Sequence, residues 1–370
     1  MTSSEVPSVL PHLPTEVWEY ILSEVIHVPL LLDSVCPEGI SFVDFLQRRD
    51  ALDDYLMSET QRRLLLLVCT SWRAWADSMP FRYLDLSPND GWVPEYSRSR
   101  NVLYCPALEP CLSFPTQWEI LCLVHRSSLE VESTLDQLNT NISLHPKLCA
   151  LSIYMMQIGY EFRSPLFTRL PLLLRLTSLK IHINPTGPPY NGPVVILPAL
   201  QLLEIVETGA GLPFSCLRLP ALRYFAISTR YWRRELDEVL EQANLLRALH
   251  VISSLAEGPT PRFDYASRIE ELLVGYRDGT WDIAKARSLK MFQNLKMVII
   301  DGDKRIYDLL RWATHPRPPQ LQVIRVNYPW EVFCGIDLGP VARCAEQAGV
   351  RCEDFDRVEI GEHIKERESM

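Results

Sequence analysis

The clearest pattern in the chain is a spacing of apolar residues, apolar-x-x-apolar-x-apolar, which recurs through its C-terminal two-thirds. The eight copies are Leu148/Leu151/Ile153, Leu176/Leu179/Ile181, Leu200/Leu203/Ile205, Leu222/Phe225/Ile227, Leu246/Leu249/Val251, Ile269/Leu272/Val274, Leu295/Val298/Ile300 and Leu321/Ile324/Val326. Successive copies begin 22 to 28 residues apart. Repetition at such a period is typical of a solenoid, in which each turn of the chain stacks on the one before it.

Each copy predicts a short β-strand, because its last two apolar positions are two residues apart and therefore lie on one face. One such strand cannot bury that face alone, whereas a parallel stack of copies buries it in a continuous core. The alternative is that each match is a buried strand of an ordinary α/β sheet. Eight copies at a nearly constant spacing favour the solenoid.

The segments around these strands have predictable elements of their own. Apolar spacing predicts helices at Trp232–Gln242, Ala284–Phe292, Tyr307–Ala313 and Gly339–Ala348. Weaker copies precede the set at Phe81/Leu84/Leu86 and Trp118/Leu121/Leu123, and Val350–Cys352 could add a last strand. The proline-rich stretch Pro185–Pro193 predicts a loop.

This pattern resembles the leucine-rich repeat over residues 148–326. The resemblance implies an α/β fold, in which a solenoid carries a parallel sheet. The usual Asn three residues after the third apolar position occurs only as Asn184, so the ladder of Asn hydrogen bonds is mostly missing. We therefore expect an irregular solenoid.

The N-terminal region predicts three short amphipathic helices. They carry Val17/Ile21/Val25, Leu64–Val68 and Trp72/Trp75/Ala76. The first begins near Thr15, and the second is predicted to begin at Ser58, since Ser58 and Gln61 have capping-box spacing. Three helices of this size make only a small core, so some apolar surface remains for a partner.

Two runs in this region, Leu13-Pro14-x-Glu16-x-x-x-x-Ile21-Leu22 and Leu67-Val68-Cys69-x-x-Trp72-Arg73-x-x-Ala76, together resemble the F-box. The resemblance implies that the region binds the Skp-family adaptor of a cullin–RING ubiquitin ligase. The adaptor-binding residues that it implies are Leu13, Pro14, Ile21, Leu22, Val68, Cys69 and Trp72. The alternative is a helical cap that only shields the first turn of the solenoid.

These patterns divide the chain into an F-box-like helical module at 10–82, a solenoid at 83–352 and a charged tail at 353–370. For the tail, a terminal polar cap is the default interpretation. The helical module contains an insert of about 25 residues, roughly Leu30–Asp54, relative to a compact F-box. The insert includes a predicted helix at Phe42–Arg49. It could be a loop without effect, or it could obstruct the adaptor-binding face.

Composition narrows the class of protein further. The 370 residues exceed what one core usually holds, about 250–300. The net charge of −9 is diffuse and argues against nucleic acid, and no apolar stretch is long enough to predict a membrane span. Ten cysteines without CxxC or zinc-ligand spacing predict no metal site, and they indicate reduced thiols in a cytoplasmic or nuclear protein.

No catalytic motif accompanies these repeats. GxSxG, GxGxxG, GxxxxGK[ST] and HExxH are all absent from the sequence, so we predict neither an enzyme nor a cofactor. His182 and His250 fall on the strand face opposite the core, where we expect exposed surface residues rather than catalytic bases.

Residues that alternate with the core positions are expected to line one face of the sheet and to bind a protein substrate. The predicted substrate-binding residues are Tyr154, Lys180, His182, Glu204, His250, Leu273, Ile299 and Arg325. Their mixed charge suits a specific protein epitope. The sequence therefore favours a substrate-recognition subunit of an SCF-type E3 ubiquitin ligase, with a ligase-independent leucine-rich-repeat scaffold as the alternative.

Overall fold

The computed structural model describes residues 14–26, 35–49, 52–78, 83–85, 102–105, 120–125, 148–158, 167–185, 192–207, 214–229, 234–253, 264–276, 291–301, 317–327 and 339–363. Its helices are α1 (Thr15–Ile26), α2 (Phe42–Arg49), α3 (Leu52–Leu65), α4 (Thr70–Ser78), α5 (Arg234–Gln242) and α6 (Gly339–Gln347). Its strands are β1 (Tyr83–Asp85), β2 (Val102–Cys105), β3 (Ile120–His125), β4 (Ala150–Ile158), β5 (Ser178–Pro185), β6 (Val195–Ile196), β7 (Leu202–Glu207), β8 (Leu217–Arg218), β9 (Tyr224–Thr229), β10 (Ala248–Ser253), β11 (Glu271–Tyr276), β12 (Met297–Asp301), β13 (Val323–Val326) and β14 (Arg351–Glu353).

Twelve of the described strands form one parallel sheet, and they follow one another in chain order. The other two, β6 and β8, pair separately beside it. Each of the eight copies of the apolar spacing contributes one strand to the large sheet. The structure therefore has a mixed α/β fold with a large parallel sheet, as a leucine-rich-repeat-like solenoid has.

The register of the sheet follows the repeat. The middle apolar position of each copy pairs with that of the next, as Leu179 does with Leu203 and Leu203 with Phe225. The third positions pair in the same way, as in Ile205 and Ile227. The described side chains at these positions lie in one continuous apolar cluster, which is the main core of the solenoid.

Backbone hydrogen bonds join successive turns just before strands β5, β7 and β9–β13 begin. The amide of Gln201 donates to the carbonyl of Thr177 at 2.8 Å, and the amide of Arg223 donates to that of Gln201 at the same distance. The amide of Glu270 likewise donates to the carbonyl of Arg247 at 2.7 Å. This ladder uses backbone groups only, so the turns stack in register at this end without an Asn ladder.

Most elements predicted around the repeats are present where the structure describes the chain. Helix α5 lies within the predicted helix at 232–242, α6 within 339–348, and β14 overlaps the predicted last strand. Strand β2 had no counterpart in the sequence analysis. The predicted helix at 307–313 lies outside the described residues. So does the predicted helix at 284–292, except for its last two residues.

The predicted start of the second N-terminal helix was wrong. Helix α3 begins at Leu52, so Ser58 lies inside it rather than at its cap. The Ser58 hydroxyl donates instead to the carbonyl of Ile26, at the end of α1.

After β14 the chain folds back on the end of the sheet. Glu353 forms an antiparallel bridge with Glu359, and the amide of Asp354 donates to the carbonyl of Val358 at 3.0 Å. The reversal passes through Arg357, whose φ is 67°. Ile360 then joins the main core with 1% of its surface exposed. Residues 353–363 are thus packed against the last turn.

Candidate functional site

Helices α1, α3 and α4 pack on one another as a small unit. The rings of Trp18 in α1 and Trp72 in α4 lie 5.7 Å apart between centroids. The guanidinium of Arg62 in α3 donates to the carbonyl of Ala76 in α4 at 3.4 Å. Leu22 and Ala76, 5% and 0% exposed, are among its buried residues.

The predicted adaptor-binding residues divide between the surface and the interior of this unit. Pro14, Ile21, Val68 and Cys69 are exposed, and Trp72 is half-buried. Leu22 is buried, with 5% of its surface exposed. Leu13 lies outside the described residues.

Further apolar side chains are exposed on the same helices and on the turn that follows α3. They are Val17, Tyr20, Met57, Leu64 and Leu67. The sequence analysis assigned none of them to adaptor binding, although Val17, Leu64 and Leu67 were among the predicted apolar helix positions and Leu67 belongs to the F-box-like run. Exposed apolar residues concentrated on one small folded unit are typical of a protein-binding surface.

The sheet has a second face, opposite the main core, which we call the outer face. One row of its side chains runs in register across successive strands: Ser152, Lys180, Glu204, Ala226, His250, Leu273, Ile299, Arg325 and Glu353. The row beside it contains Leu202, Tyr224, Ala248 and Glu271. The outer face was predicted to be open for substrate.

Helix α2, from the insert, lies on this outer face. Phe42, Phe45 and Cys36 pack in one apolar cluster with four side chains of the sheet, Leu202, Tyr224, Ala226 and Ala248, which we call the apolar patch. The Phe42 ring lies 5.1 Å from that of Tyr224 and 4.5 Å from that of His250, between centroids. Val43 packs in a second cluster with Leu273 and Ile299. Neither interpretation of the insert anticipated this position.

The start of α2 is held by a carboxylate of the sheet. The amides of Phe42 and Val43 donate to the two carboxylate oxygens of Glu271 at 2.7 and 3.0 Å. Amides in the first turn of a helix have no partner within the helix, and the helix dipole favours a negative charge there. Glu271 also lies 2.8 Å from Nε2 of His250. The helix terminus and the sheet therefore satisfy each other's buried polar groups.

A second polar contact holds the first turn of α2 through Asp44. Nη1 of Arg325 donates to Oδ1 of Asp44 at 2.8 Å, while Nη2 of Arg325 lies 2.6 Å from Oε1 of Glu353. Nη2 of Arg357 lies 3.0 Å from the other oxygen of Asp44. Asp44, Arg325 and Glu353 are each less than 10% exposed, so these charges are paired inside the protein.

The predicted substrate-binding residues consequently have very different surroundings. His250, Leu273, Ile299 and Arg325 are buried, at 4%, 4%, 0% and 4% exposure. Lys180, His182 and Glu204 are half-buried, and Nζ of Lys180 lies 3.1 Å from Glu204. The strand of Tyr154 is described but its side chain is not. The expectation that His250 is exposed was wrong, because Phe42 and Glu271 enclose its ring.

Burial also changes acid–base behaviour on the outer face. Burial, and after it the positive charge of Lys180, lowers the pKa of His182. Burial raises the pKa of Tyr224 to about 12.

Within the described part of the chain, no group of His, Cys, Asp and Glu side chains is placed to hold a metal ion. No described helix has the length and apolar character needed to cross a bilayer.

The row that contains Leu202, Tyr224, Ala248 and Glu271 was missed by the sequence analysis. These residues come just before the middle apolar position, which the repeat pattern leaves unspecified. Three of the four are apolar or aromatic, although the alternation of a strand places them away from the main core. That excess of apolar residues, together with Phe42, Val43 and Phe45 in the insert, was a signal that something covers this row.

Cys36 provides a chemical test of whether α2 is docked. Burial, and after it the Glu271 carboxylate, raises the pKa of the Cys36 thiol to about 12. Because the thiolate is the reactive form, we expect iodoacetamide at pH 8 to alkylate Cys36 at least ~10-fold more slowly than exposed Cys69. Peptide mass spectrometry over a time course measures both rates. Equal rates in the folded chain would contradict the docking of this segment.

No protein-family model matches the sequence, and no curated protein matches it either. Among solved structures, the chain is similar to human 5T4 (Wnt-activated inhibitory factor 1, trophoblast glycoprotein) at 18% sequence identity. The match covers 50% of this chain and 84% of that chain, with a TM-score of 0.24. A TM-score this low supports no conclusion about fold or function, so the description of the fold rests on the parallel sheet itself.

Proposed function

We propose that this chain is the substrate-recognition subunit of an SCF-type E3 ubiquitin ligase. Its N-terminal helices bind the Skp-family adaptor, and its solenoid binds a protein substrate. The observation that supports the proposal best is the exposure of Pro14, Ile21, Val68 and Cys69 on a folded helical unit. These are the positions to which the F-box resemblance assigns adaptor contacts.

The mechanism that follows is proximity. A receptor that holds a substrate beside the ubiquitin-charged enzyme of the ligase raises its effective concentration there, without performing a reaction of its own. Catalysis belongs to the assembled ligase. The chain contributes two rigid surfaces, one for the adaptor and one for the substrate, and the distance between them determines which substrate lysines are reached.

The second candidate function is a ligase-independent leucine-rich-repeat scaffold. It is favoured by the docking of α2 on the outer face, because a segment of the helical module that packs on the sheet is also what a purely structural cap would provide. In this case the exposed apolar residues of α1 and of the turn after α3 would bind no adaptor.

A binding assay with purified Skp-family adaptor separates the two functions. We expect the wild-type chain to bind and the Ile21→Asp, Val68→Asp double variant to lose binding, because the two side chains are 38% and 57% exposed. Circular dichroism should show that the double variant retains its helices. Truncation at an interface hot spot typically costs about 2 kcal/mol or more, which is roughly a 30-fold loss of affinity.

The matched control replaces two exposed leucines of the solenoid, Leu172→Asp with Leu245→Asp, which are 52% and 49% exposed. This control should bind the adaptor as the wild type does. Leu22→Ala is unsuitable, since Leu22 is buried and its loss would disturb the fold. Failure of the wild type to bind, or equal binding by the double variant, would leave the scaffold as the function.

A further inference from the structure

The contact between α2 and the outer face has the composition of a binding interface. It encloses Asp44, Glu271 and Arg325, at 7%, 9% and 4% exposure, beside the aromatic rings of Phe42 and Phe45. The main core on the opposite face is mostly apolar, with Asp237 as a buried carboxylate that accepts a hydrogen bond from the Tyr265 hydroxyl. Burying charges is costly even when they are paired, but charge pairs determine which segment fits a surface and in which orientation.

Three features of the outer face together recognise the start of a helix. The apolar patch formed by Leu202, Tyr224, Ala226 and Ala248 packs against aromatic side chains. Glu271 accepts hydrogen bonds from two first-turn amides. The third feature is Arg325.

Arg325 pairs with Asp44, which lies two positions after the first aromatic residue of the helix, Phe42. These features are met by a helix with the order hydroxyl cap, aromatic, aliphatic, acidic, aromatic. In the insert that order is Ser41 to Phe45, and the hydroxyl of Ser41 accepts a hydrogen bond from the Asp44 amide at 3.3 Å.

Helix α2 depends on the sheet for its own stability. It has eight residues, whereas isolated helices shorter than roughly 12–15 residues are marginal in water. Its aromatic and aliphatic side chains pack on strands of the solenoid more than 150 positions later in the sequence. It therefore interacts with the outer face as a short peptide ligand would, except that it belongs to the same chain.

We propose that the outer face of β7–β13 is a docking groove for a short helix of a partner protein, and that α2 occupies this groove as a competing internal ligand. The partner helix has a Ser or Thr cap followed by an aromatic, an aliphatic, an acidic and an aromatic residue. Charge complementarity to Glu271 and Arg325 selects a helix start with an acidic residue in its first turn. The identification of this partner as the substrate rests on the function proposed above.

The consequence is a threshold for binding. A tethered ligand competes at an effective concentration on the order of millimolar. A partner helix that binds no better than α2 therefore occupies little of the groove at cellular concentrations. Only a partner that binds more tightly, or that makes further contacts elsewhere on the solenoid, displaces α2.

The test uses the full chain and a synthetic peptide of residues 35–49 that carries Cys36→Ser and a fluorophore at its N-terminus. In one variant, which we call the released chain, Phe42→Ala and Asp44→Lys weaken the internal ligand. Fluorescence anisotropy should show that the released chain binds the peptide at least 10-fold more tightly than the wild type does. A peptide that also carries Asp44→Lys should lose at least 10-fold in affinity for the released chain.

Two groove variants of the released chain test where the peptide binds. Ala226→Arg places a bulky charged side chain in the apolar patch and should abolish binding, while Ser152→Arg, in the same row three strands away, should not change it. Circular dichroism should show that both variants retain the fold. Binding that survives Ala226→Arg in a folded chain would overturn the proposal.

A separate measurement distinguishes an exchangeable ligand from a permanent part of the fold. Saturating peptide should accelerate the alkylation of Cys36 in the wild-type chain at least 10-fold, because displacement of α2 uncovers the thiol. No acceleration, or a released chain that is unfolded, would overturn the proposal. A concentration-dependent dimer of the wild type, formed by exchange of α2, would assign the groove to a second copy and overturn it as well.

Failure of this proposal and failure of the proposed function give different results. If the peptide displaces α2 but the chain does not bind the adaptor, the docking groove is supported and the function is that of a scaffold. If the chain binds the adaptor but the peptide never displaces α2, the ligase function is supported and the docking groove is contradicted.

Discussion

Replacement of Arg325 by alanine is expected to lower the free energy of unfolding by about 3–5 kcal/mol, the usual effect of removing one partner of a buried ion pair. Arg325 lies between the carboxylates of Asp44 and Glu353, and all three side chains are less than 10% exposed. Without it, two buried negative charges lose their main partner. Urea denaturation of the wild type and the variant measures the difference.

Arg351→Ala is the matched control. Arg351 also contacts Glu353, with its Nε 2.9 Å from the carboxylate, but its side chain is 52% exposed. Exposed ion pairs contribute about 0–1 kcal/mol, so this variant should remain close to the wild type. Equal destabilisation by the two variants would show that burial of Arg325 does not determine its contribution.

The second large effect is expected for Leu246→Ala, which should cost about 2–5 kcal/mol through the cavity that it leaves. Leu246 is the first apolar position of the fifth repeat and is 1% exposed in the main core. Because each turn of a solenoid packs mainly on its neighbours, the cavity weakens the turns on both sides. Denaturant unfolding followed by circular dichroism measures the loss.

The preceding residue provides the control. Leu245 has the same side chain but is 49% exposed, so Leu245→Ala should change the stability by no more than about 0.5 kcal/mol. A similar cost for both variants would contradict the assignment of the first repeat position to the core.

The strands of the solenoid were predictable because their signal is local and repeated. Leu203 and Ile205 lie two residues apart and point into the same core, and a strand is the element that places them so. The register was predictable as well, since a shift of one residue would move such side chains to the opposite face. The strands, their order and their core face are confirmed.

The docking of α2 could not be predicted by the same means. Its bounds, Phe42–Arg49, are those that apolar spacing predicts, since the helix pattern is local. Its partners are not local: the amide of Phe42 bonds Glu271, 229 residues later, and Asp44 pairs with Arg325, 281 residues later. No periodicity connects positions so far apart. Four of the predicted substrate-binding residues are therefore buried beneath this helix.

The misplaced start of α3 has a different cause. Ser58 and Gln61 satisfy a local capping rule, but Ser58 bonds the carbonyl of Ile26 across the helical module instead. A hydroxyl can serve either purpose, and packing between α1 and α3 decides which one it serves. Local capping signals therefore do not fix a helix boundary when a tertiary partner is available.

The fold-back after β14 affects how this protein behaves at high concentration. The last strand of an open sheet normally offers unpaired backbone groups on which a foreign strand can add, and such additions are how fibres begin. Here Glu353 is already bridged to Glu359, and the Asp354 amide is bonded to Val358. A fibre that grows from this end of the sheet must first displace the chain's own C-terminal segment, which includes the buried side chain of Ile360.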